Sequence, residues 1–354
     1  MSGGPPEEQA ASRVEAIRWR DRSLSLLDQR ALPGAERWLD MPDVEHVARA
    51  IGDLVVRGAP AIGIAAAYAA VIGARARGAD RAGWEGDLDR LVAARPTAVN
   101  LRWAVERMRE AAGGEAPGPV ADELERTACR IHAEDLEANQ RMAEIGSLLL
   151  EPGSRVLTHC NTGSLATSGI GTALGVIVRA WRDERLQQVY ACETRPWFQG
   201  LRLTAWELSR EGVPCSVLVE GAAAGLLAGG GVDWVITGAD RICANGDVAN
   251  KVGTLMLAAL ARQFGARMMV VAPVSTLDPD TASGTGIEIE QRPAAEIWGS
   301  IGLAEPPAGT SAWNPVFDVT PADLVDVIVT ERGALERPFG DSVARLARRN
   351  GTAA

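Results

Sequence analysis

The pattern of apolar and polar positions divides this 354-residue chain into two parts near residues 151–153, Glu-Pro-Gly. Before that point, apolar residues recur with the three- and four-residue spacing of amphipathic helices. Helices are predicted at about 43–56, 60–76, 80–93, 99–112 and 120–149. Ahead of them, short apolar runs broken by turn residues between 14 and 38 predict a small hairpin-like sheet. The first part is therefore expected to be mainly helical.

After residue 153 the period changes, because short β-branched runs alternate with helical segments. Strands are predicted at about 155–160, 188–193, 215–220, 234–238, 268–272 and 325–330. Helices are predicted near 165–182, 198–211, 222–229 and 251–264. This alternation is typical of an α/β fold with a parallel sheet and right-handed crossovers. Ligands of such sheets bind beyond the carboxyl ends of the strands, so candidate residues are sought there.

The composition limits the classes of protein to which the chain belongs. Hydrophobic residues make up 47% of it, which is enough for a substantial core. The net charge of −10 argues against nucleic acid as a partner, since that partner requires a basic surface. Five cysteines without a CxxC pair and three histidines without ligand spacing predict no metal. With no signal peptide and no run of about 18 apolar residues, a cytoplasmic protein without a membrane partner is expected.

The same patterns predict how the chain is divided into domains. The predicted segments are a flexible tail (1–12), a mainly helical N-terminal domain (13–150), a catalytic α/β domain (151–341) and a C-terminal tail (342–354).

A cysteine at a predicted strand end is the first candidate for chemistry. Residues 158–164 read Thr-His-Cys-Asn-Thr-Gly-Ser and place Cys160 between a strand and a predicted helix. Backbone N–H groups and a helix terminus at that position favour a thiolate. A small buried cysteine without a chemical role is the alternative. His159 is expected to point away, because side chains alternate along a strand.

A carboxylate at another strand end is the second candidate. The apolar run 234–238 precedes Asp240, and a loop at 244–247 then leads to Asn250 and Lys251 at the start of a predicted helix. Burial at a strand end raises the pKa of a carboxyl group, which suits it to donate a proton. Lys251 and the helix N-terminus predict an anion site. A capping or ion-paired role for Asp240 is the alternative.

A third segment, 57–63 (RGAPAIG), combines Arg57 with the backbone N–H groups of Gly58 and Ala59 at a helix start, where a phosphate group can dock. A fourth, 193–200 (ETRPWFQG), offers polar groups in a rigid turn after a strand. The sequence contains no P-loop, GxGxxG motif or catalytic triad. The residues alone therefore indicate an α/β enzyme with a small anionic ligand.

Six segments taken together resemble the methylthioribose-1-phosphate isomerase family of methionine salvage. They are 57–63 (RGAPAIG), 95–101 (RPTAVNL), 159–167 (HCNTGSLAT), 193–208 (ETRPWFQGLRLTAWEL), 237–253 (TGADRICANGDVANKVG) and 314–321 (NPVFDVTP). The resemblance spans about residues 14–338, in order. Ribose-1,5-bisphosphate isomerases and the regulatory subunits of translation initiation factor 2B belong to the same superfamily.

The resemblance implies an aldose–ketose isomerase that converts 5-methylthioribose 1-phosphate to 5-methylthioribulose 1-phosphate. It also implies a helical N-terminal domain, a Rossmann-like C-terminal domain, a homodimer, and no cofactor or metal. Cys160 and Asp240 would be the catalytic residues. The residues that would bind the substrate are Arg57, Gly58, Ala59, Arg95, Gln199, Asn250 and Lys251.

Three alternatives remain open at this point. Trp197 and Phe198 stand where the family usually has a smaller aliphatic pair, Leu255 stands for a tyrosine and Ser164 for an alanine, so 5-deoxyribose 1-phosphate is an alternative substrate. A ribose-1,5-bisphosphate isomerase would need basic residues for a second phosphate group. A non-catalytic regulatory subunit of the same fold would need neither a thiol nor an acid at the strand ends.

Overall fold

The N-terminal part of the protein is a helical layer with a small sheet, as the sequence predicts. The computed structural model describes residues 14–96 and 98–348, so the tail predicted at 1–12 lies outside the described residues. Strands β1 (Ile17–Arg20), β2 (Ser23–Leu27) and β3 (Trp38–Met41) form an antiparallel sheet. Five helices follow: α1 (Val44–Gly52), α2 (Ala59–Arg77), α3 (Arg81–Ala94), α4 (Val99–Ala112) and α5 (Ala121–Leu148).

Helix α2 is the central helix of this layer. It is the one helix among the described residues that is long and apolar enough to cross a membrane, but 72% of its most apolar window is buried inside the protein. It packs against α3, α4 and α5. At Gly63 a Cβ atom would lie 2.8 Å from the carbonyl oxygen of Asn100 on α4, so the small residue permits close packing. Helix α2 is therefore a core helix.

The C-terminal part contains a seven-stranded sheet and a smaller four-stranded sheet. Its strands are β4 (Ser154–Thr158), β5 (Leu186–Cys192), β6 (Ser216–Leu218), β7 (Trp234–Thr237), β8 (Arg241–Cys243), β9 (Val248–Lys251), β10 (Arg267–Val271), β11 (Leu277–Asp278), β12 (Phe317–Thr320), β13 (Val327–Thr330) and β14 (Gly333–Glu336). Its helices are α6 (Ala173–Arg182), α7 (Ala205–Arg210), α8 (Ala223–Ala228), α9 (Thr254–Phe264), α10 (Ala295–Gly299) and α11 (Asp341–Arg348).

The large sheet has the strand order β14-β13-β10-β7-β4-β5-β6. All six predicted strands belong to it and pair in parallel. Strand β14, which the sequence pattern does not predict, adds an antiparallel edge beside β13. The predicted α/β fold class is confirmed.

A second sheet, with the order β11-β8-β9-β12, is not predicted by the sequence pattern. Strand β9 ends at Lys251, which pairs with Phe317 of β12. The helix predicted from residue 251 therefore begins only at Thr254, after Gly253 in a left-handed conformation with φ 107°. The prediction that Lys251 lies at a helix N-terminus is wrong, because pairing with β12 extends the strand through that residue.

The C-terminal tail predicted from residue 342 begins inside helix α11. Val343 of this helix is fully buried and packs in the same apolar cluster as Phe339. The burial of Val343 explains why the chain stays helical beyond the predicted boundary. Residues 349–354 lie outside the described residues.

Arg202 connects the two parts of the chain. It lies in a π-helical turn, Gly200–Thr204, directly before α7. Its guanidinium group donates hydrogen bonds to the backbone carbonyl oxygens of Gln29, Arg30 and Leu32, at 2.8, 2.9 and 3.0 Å. A single side chain from the C-terminal part thus donates hydrogen bonds to three carbonyl groups of the loop that follows β2.

We expect Arg202→Ala to lower the free energy of unfolding by about 2 kcal/mol, because it leaves the partly buried carbonyl groups of Gln29 and Leu32 without their donor. Chemical denaturation followed by tryptophan fluorescence measures the loss. Arg210→Ala is the matched control, since Arg210 forms a half-exposed pair with Glu36 and such pairs contribute less than about 1 kcal/mol. Equal losses in the two variants would contradict this role of Arg202.

Candidate active site

The candidate active site lies where two neighbouring strands of the large sheet end. Strand β4 lies in the sheet between β5 and β7. The chain adds β5 and β6 on one side of β4 first, and then adds β7 and β10 on the other side. The strand order therefore reverses between β4 and β7, and ligands of open parallel sheets bind at such a reversal. Cys160 follows β4 and Asp240 follows β7. Both candidates thus flank the position where a ligand is expected.

A cleft that is partly open to solvent occupies this position. Its walls come from the start of α2, from the loops after β4, β5 and β7, and from β9 and β12. All nine residues predicted from the sequence to form the site line it: Cys160, Asp240, Arg57, Gly58, Ala59, Arg95, Gln199, Asn250 and Lys251. The structure brings these residues together, while their individual roles stay predictions.

Cys160 is held in a strained backbone conformation. Its φ of 62° lies in the left-handed region, which costs free energy for a residue with a Cβ atom. Its N–H donates to the hydroxyl oxygen of Thr194 at 2.9 Å, and the hydroxyl of Thr204 donates to its carbonyl oxygen at 2.6 Å. The side chain is 9% exposed and faces the cleft. Two threonine hydroxyls therefore fix the peptide that carries the thiol.

His159 points away from the cleft, as the alternation along the strand predicts. Its Nε2 lies 2.9 Å from the carbonyl oxygen of Val252. Burial lowers the pKa of His159 to about 4, so the ring is neutral at pH 7. The helix predicted near 165–182 begins later than expected, at Ala173, because a short 3-10 turn at Ser164–Ala166 and Gly171 with φ 90° intervene. A helix terminus therefore does not follow Cys160 directly.

Lys251 interacts electrostatically with both Cys160 and Asp240. Burial lowers the pKa of Lys251, and the charges of Cys160 and Asp240 oppose that shift. Burial raises the pKa of the Asp240 carboxyl group, against the attraction of Lys251, Arg95 and Arg57. A raised pKa keeps more of Asp240 protonated near neutral pH, as a general acid requires.

Arg57 reaches from the helical part of the protein to the loop after β4. Its Nη1 donates to Oδ1 of Asn161 at 2.7 Å, and its Nη2 donates to the Asn161 carbonyl oxygen at 2.6 Å. Asn161 Nδ2 donates in turn to Oε1 of Glu207 at 2.7 Å. Sequence reasoning misses Asn161 and Glu207, because a buried contact between residues 46 positions apart leaves no local signal.

Gly58 is required at the start of α2. Its φ is 95°, and a Cβ atom there would lie 2.5 Å from the Cβ of Ala166. No side chain caps this helix, and Gly58 and Ala59 both line the cleft. The N-terminus of a 19-residue helix attracts an anion through its backbone N–H groups.

Two buried polar atoms beside the cleft have no hydrogen-bond partner among the described residues. They are Nε of Arg95 and Oε1 of Gln199. Buried polar groups in native proteins are nearly always paired, so each of these atoms is suited to a contact with a ligand. The phosphate and hydroxyl oxygens of a sugar phosphate offer such contacts.

The charges of the cleft suit an anion. Its basic lining residues are Arg57, Arg95, Lys251 and Arg292, against the carboxyl groups of Asp240 and Glu296. In the part of the chain that the structure describes, no group of three His, Cys, Asp or Glu side chains is placed to hold a metal ion.

Of the four residues that depart from the family pattern, only Trp197 lines the cleft. Phe198 instead packs beneath the guanidinium group of Arg195, 4.9 Å from the ring centre. Leu255 and Ser164 are not among the residues of the cleft wall.

Comparisons with known proteins identify the family of this chain. Residues 55–337 match the model of the initiation factor 2 subunit family, IF-2B. A methylthioribose-1-phosphate isomerase from Thioalkalivibrio sulfidiphilus is 55% identical over 337 residues, which cover 94% of this chain and 97% of that protein. The protein of the same name from Azotobacter vinelandii is 54% identical over 346 residues, covering 95% and 96%.

Solved structures share the fold over almost the whole chain. A crystal structure of 5-methylthioribose 1-phosphate isomerase from Pyrococcus horikoshii has a TM-score of 0.88 and 39% identity, covering 96% of this chain and 97% of that one. A structure described as the delta subunit of translation initiation factor eIF-2B from A. fulgidus has a TM-score of 0.83 and 38% identity, covering 95% and 99%.

The fold is that of the initiation factor 2 subunit family, and within that family this chain belongs to the methylthioribose-1-phosphate isomerases. The family resemblance and the aldose–ketose isomerase class predicted from the sequence are confirmed.

Proposed function

We propose that this protein converts 5-methylthioribose 1-phosphate to 5-methylthioribulose 1-phosphate in methionine salvage, with Cys160 and Asp240 as its catalytic pair. The observation that carries the proposal is the convergence of the nine predicted residues on one cationic cleft. The similarly named relatives, 54–55% identical over nearly the whole chain, support the same reaction.

The cationic side of the cleft binds the phosphate group. Arg57, Arg95 and Lys251 supply positive charge, and the N-terminus of α2 at Gly58 and Ala59 supplies backbone N–H donors. Gln199 and Asn250 contact the sugar hydroxyls. Binding through the phosphate orients C1 and C2 toward the catalytic pair.

Ring opening needs an acid because the oxygen on C1 carries the phosphate. The sugar therefore has no free aldehyde form, and the bond from C1 to the ring oxygen must break in the cleft. Asp240 donates its proton to the ring oxygen as that bond breaks. A hydrogen then moves from C2 to C1, and the C2 hydroxyl proton returns to Asp240 as the ketone forms.

Two routes move the hydrogen. In the first, the Cys160 thiolate removes the C2 proton during ring opening, an enol phosphate forms across C1 and C2, and Cys160 returns the proton to C1. In the second, the C2 hydrogen moves to C1 with its electron pair, and Cys160 shapes and polarises the site. Substrate deuterated at C2 tests the two routes. Replacement of the deuterium at C1 by solvent hydrogen indicates proton transfer, because a hydride shift keeps all of the deuterium at C1.

The rest of the cleft wall suits an apolar 5-substituent. Leu54, Pro196, Trp197 and Val316 belong to this wall. The fourth basic residue, Arg292, is ion-paired with Glu296 at 2.6 Å. That pairing argues against a second phosphate group and hence against ribose 1,5-bisphosphate.

We expect purified protein to form the C2 ketone from 5-methylthioribose 1-phosphate at least as fast as from 5-deoxyribose 1-phosphate. NMR spectroscopy of the two reactions in parallel measures both rates. Turnover of the deoxy sugar alone would point to the large side chain of Trp197 in the cleft wall as the cause of an altered specificity. Turnover of neither sugar would contradict the proposed function and favour a non-catalytic subunit.

We infer the homodimer from the family resemblance and the cytoplasmic location from the sequence pattern. Size-exclusion chromatography with light scattering tests the first, with an expected mass of two 37.4 kDa chains. A monomeric mass would contradict the homodimer.

A further inference from the structure

A buried carboxyl group behind the cleft has no part in the reaction as described so far. Glu207, on helix α7, is 2% exposed and is not among the residues that line the cleft. Burying an ionisable group costs free energy unless its surroundings compensate for the lost water. Burial raises the pKa of Glu207 to about 7, so the carboxyl group changes charge in the physiological range.

The groups around Glu207 are arranged for the ionised form. Asn161 Nδ2 donates to Oε1 at 2.7 Å, and the backbone N–H of Leu165 donates to Oε2 at 3.4 Å. The backbone of Ser164 also acts on the carboxyl group as a hydrogen-bond donor. Among the described residues, the charged side chain with the largest effect on it is that of Arg57.

The orientation of the Asn161 amide determines which of its atoms faces Arg57 in the cleft. Because Nδ2 faces Glu207, Oδ1 faces Arg57 and accepts from its Nη1. A rotated amide would present an NH₂ group to a guanidinium group, and both carry only donors. The second guanidinium nitrogen binds the Asn161 carbonyl oxygen, one residue after Cys160. Glu207 is therefore the far end of a hydrogen-bonded chain that fixes Arg57.

We propose that Glu207 is a positioning residue: its carboxylate orients the Asn161 amide, and the amide holds the Arg57 guanidinium group in place to bind the phosphate of the substrate. This inference rests on the proposed function, since that function assigns Arg57 to the phosphate. It adds a residue that touches neither the substrate nor the reacting atoms.

Glu207→Gln tests the proposal through its pH dependence. At pH 8 we expect kcat/KM for 5-methylthioribose 1-phosphate to fall about 10-fold, because glutamine keeps an acceptor oxygen for Asn161 but lacks the negative charge that strengthens the hydrogen bond. The loss should lie mainly in KM, because Arg57 holds the phosphate before and during the reaction. The ratio of wild type to variant is expected to approach one near pH 5.5, where Glu207 is protonated in the wild type. The titration of the substrate phosphate is common to both proteins and cancels in the ratio.

Glu331→Gln is the matched control. Glu331 is another carboxyl group whose pKa is raised by burial, and it accepts from the backbone N–H of Val274 at 2.9 Å, outside the cleft wall. We expect its kinetics to match the wild type at every pH. A ratio for Glu207→Gln that does not change with pH would overturn the proposal.

A second arm tests the connection through Asn161. If Glu207 acts through this amide, Asn161→Ala and the double variant Asn161→Ala/Glu207→Gln should lose the same factor. Losses that multiply would overturn the proposal. Should Glu207→Gln fail to fold, Asn161→Ala still tests the proposal: its loss relative to wild type should become smaller as the pH falls below about 7, and a loss that does not change with pH would overturn the proposal.

Calorimetry with inorganic phosphate separates this inference from the proposed function. Phosphate affinity should show the same pH-dependent ratio between wild type and Glu207→Gln, whether or not the sugar turns over. Absent turnover with this ratio intact would defeat the proposed function and leave the role of Glu207 supported. Normal turnover with equal phosphate affinities at pH 8 would defeat the role of Glu207 alone.

Discussion

Cys160→Ser is expected to fold like the wild type and to lose about a thousandfold in kcat, within the range that a positioned proton-transfer group contributes. Serine fits the same volume, and the contacts from Thr194 and Thr204 go to the backbone of Cys160, so they persist in the variant. The hydroxyl group is a far weaker acid than the thiol and cannot act as an anion near neutral pH. Steady-state kinetics and a thermal melt give the two readouts.

Cys215→Ser is the control for this change. Cys215 lies just before β6, outside the cleft wall, and burial raises its pKa to about 11. We expect this variant to keep wild-type turnover. Wild-type turnover in Cys160→Ser would show that the thiol takes no part in the mechanism. A strongly lowered melting temperature would show that the strained backbone at Cys160 depends on the packing of the sulfur atom.

Asp240→Asn is expected to lower kcat about a hundredfold or more while KM changes little. Asparagine keeps the shape of the side chain but has no acidic proton for the ring oxygen. Stopped assays give kcat, and calorimetry with the substrate gives binding. Retained turnover would assign the general acid to another group.

Asp240→Asn should not lower the stability of the folded protein at pH 8, although it lowers kcat. The folded-state pKa of Asp240 is raised above its ordinary value of 3.8, so the folded protein keeps a proton that the unfolded chain releases. The resulting stabilisation is present at pH values below 3.8 and is lost as the pH rises through the raised pKa. Asparagine does not titrate, so at pH 8 the Tm of Asp240→Asn should equal or exceed that of the wild type.

Asp233→Asn provides the control from the opposite end of the same strand. Asp233 precedes β7 and is ion-paired with Arg155 at 2.8 Å, which holds its pKa below the usual range. This variant should keep its turnover and lose stability at pH 8. If both aspartate variants lose turnover equally, the effect does not come from the acid at the cleft.

The helices of the first half could be predicted because their signals are local. Asp43 precedes α1, and its side chain accepts from the N–H of His46 at 2.9 Å, as expected of a helix cap. The short β-branched runs of the large sheet are equally local. The extension of strand β9 to Lys251 could not be predicted, because the pairing with the neighbouring strand β8 reaches only Ala249 and Lys251 pairs with Phe317 of β12, which lies far along the chain.

The main residues of the cleft could be predicted for a related reason. Cys160 and Asp240 each follow an apolar strand, and the ends of parallel strands meet at one edge of the sheet. The left-handed backbone at Cys160 and the contact between Asn161 and Glu207 could not be predicted, because both depend on side chains that meet only after folding.

The burial of α2 has a consequence for synthesis on the ribosome. Its main partners, α4 and α5, follow it in the chain, and α5 ends at Leu148. From Arg77 to Leu148 the ribosome adds 148 − 77 = 71 residues, which takes about 4–14 s at about 5–20 residues per second. During that interval the nascent chain carries a helix that is long and apolar enough for a membrane. Ribosome-bound chains of these lengths are therefore where we expect a chaperone to bind.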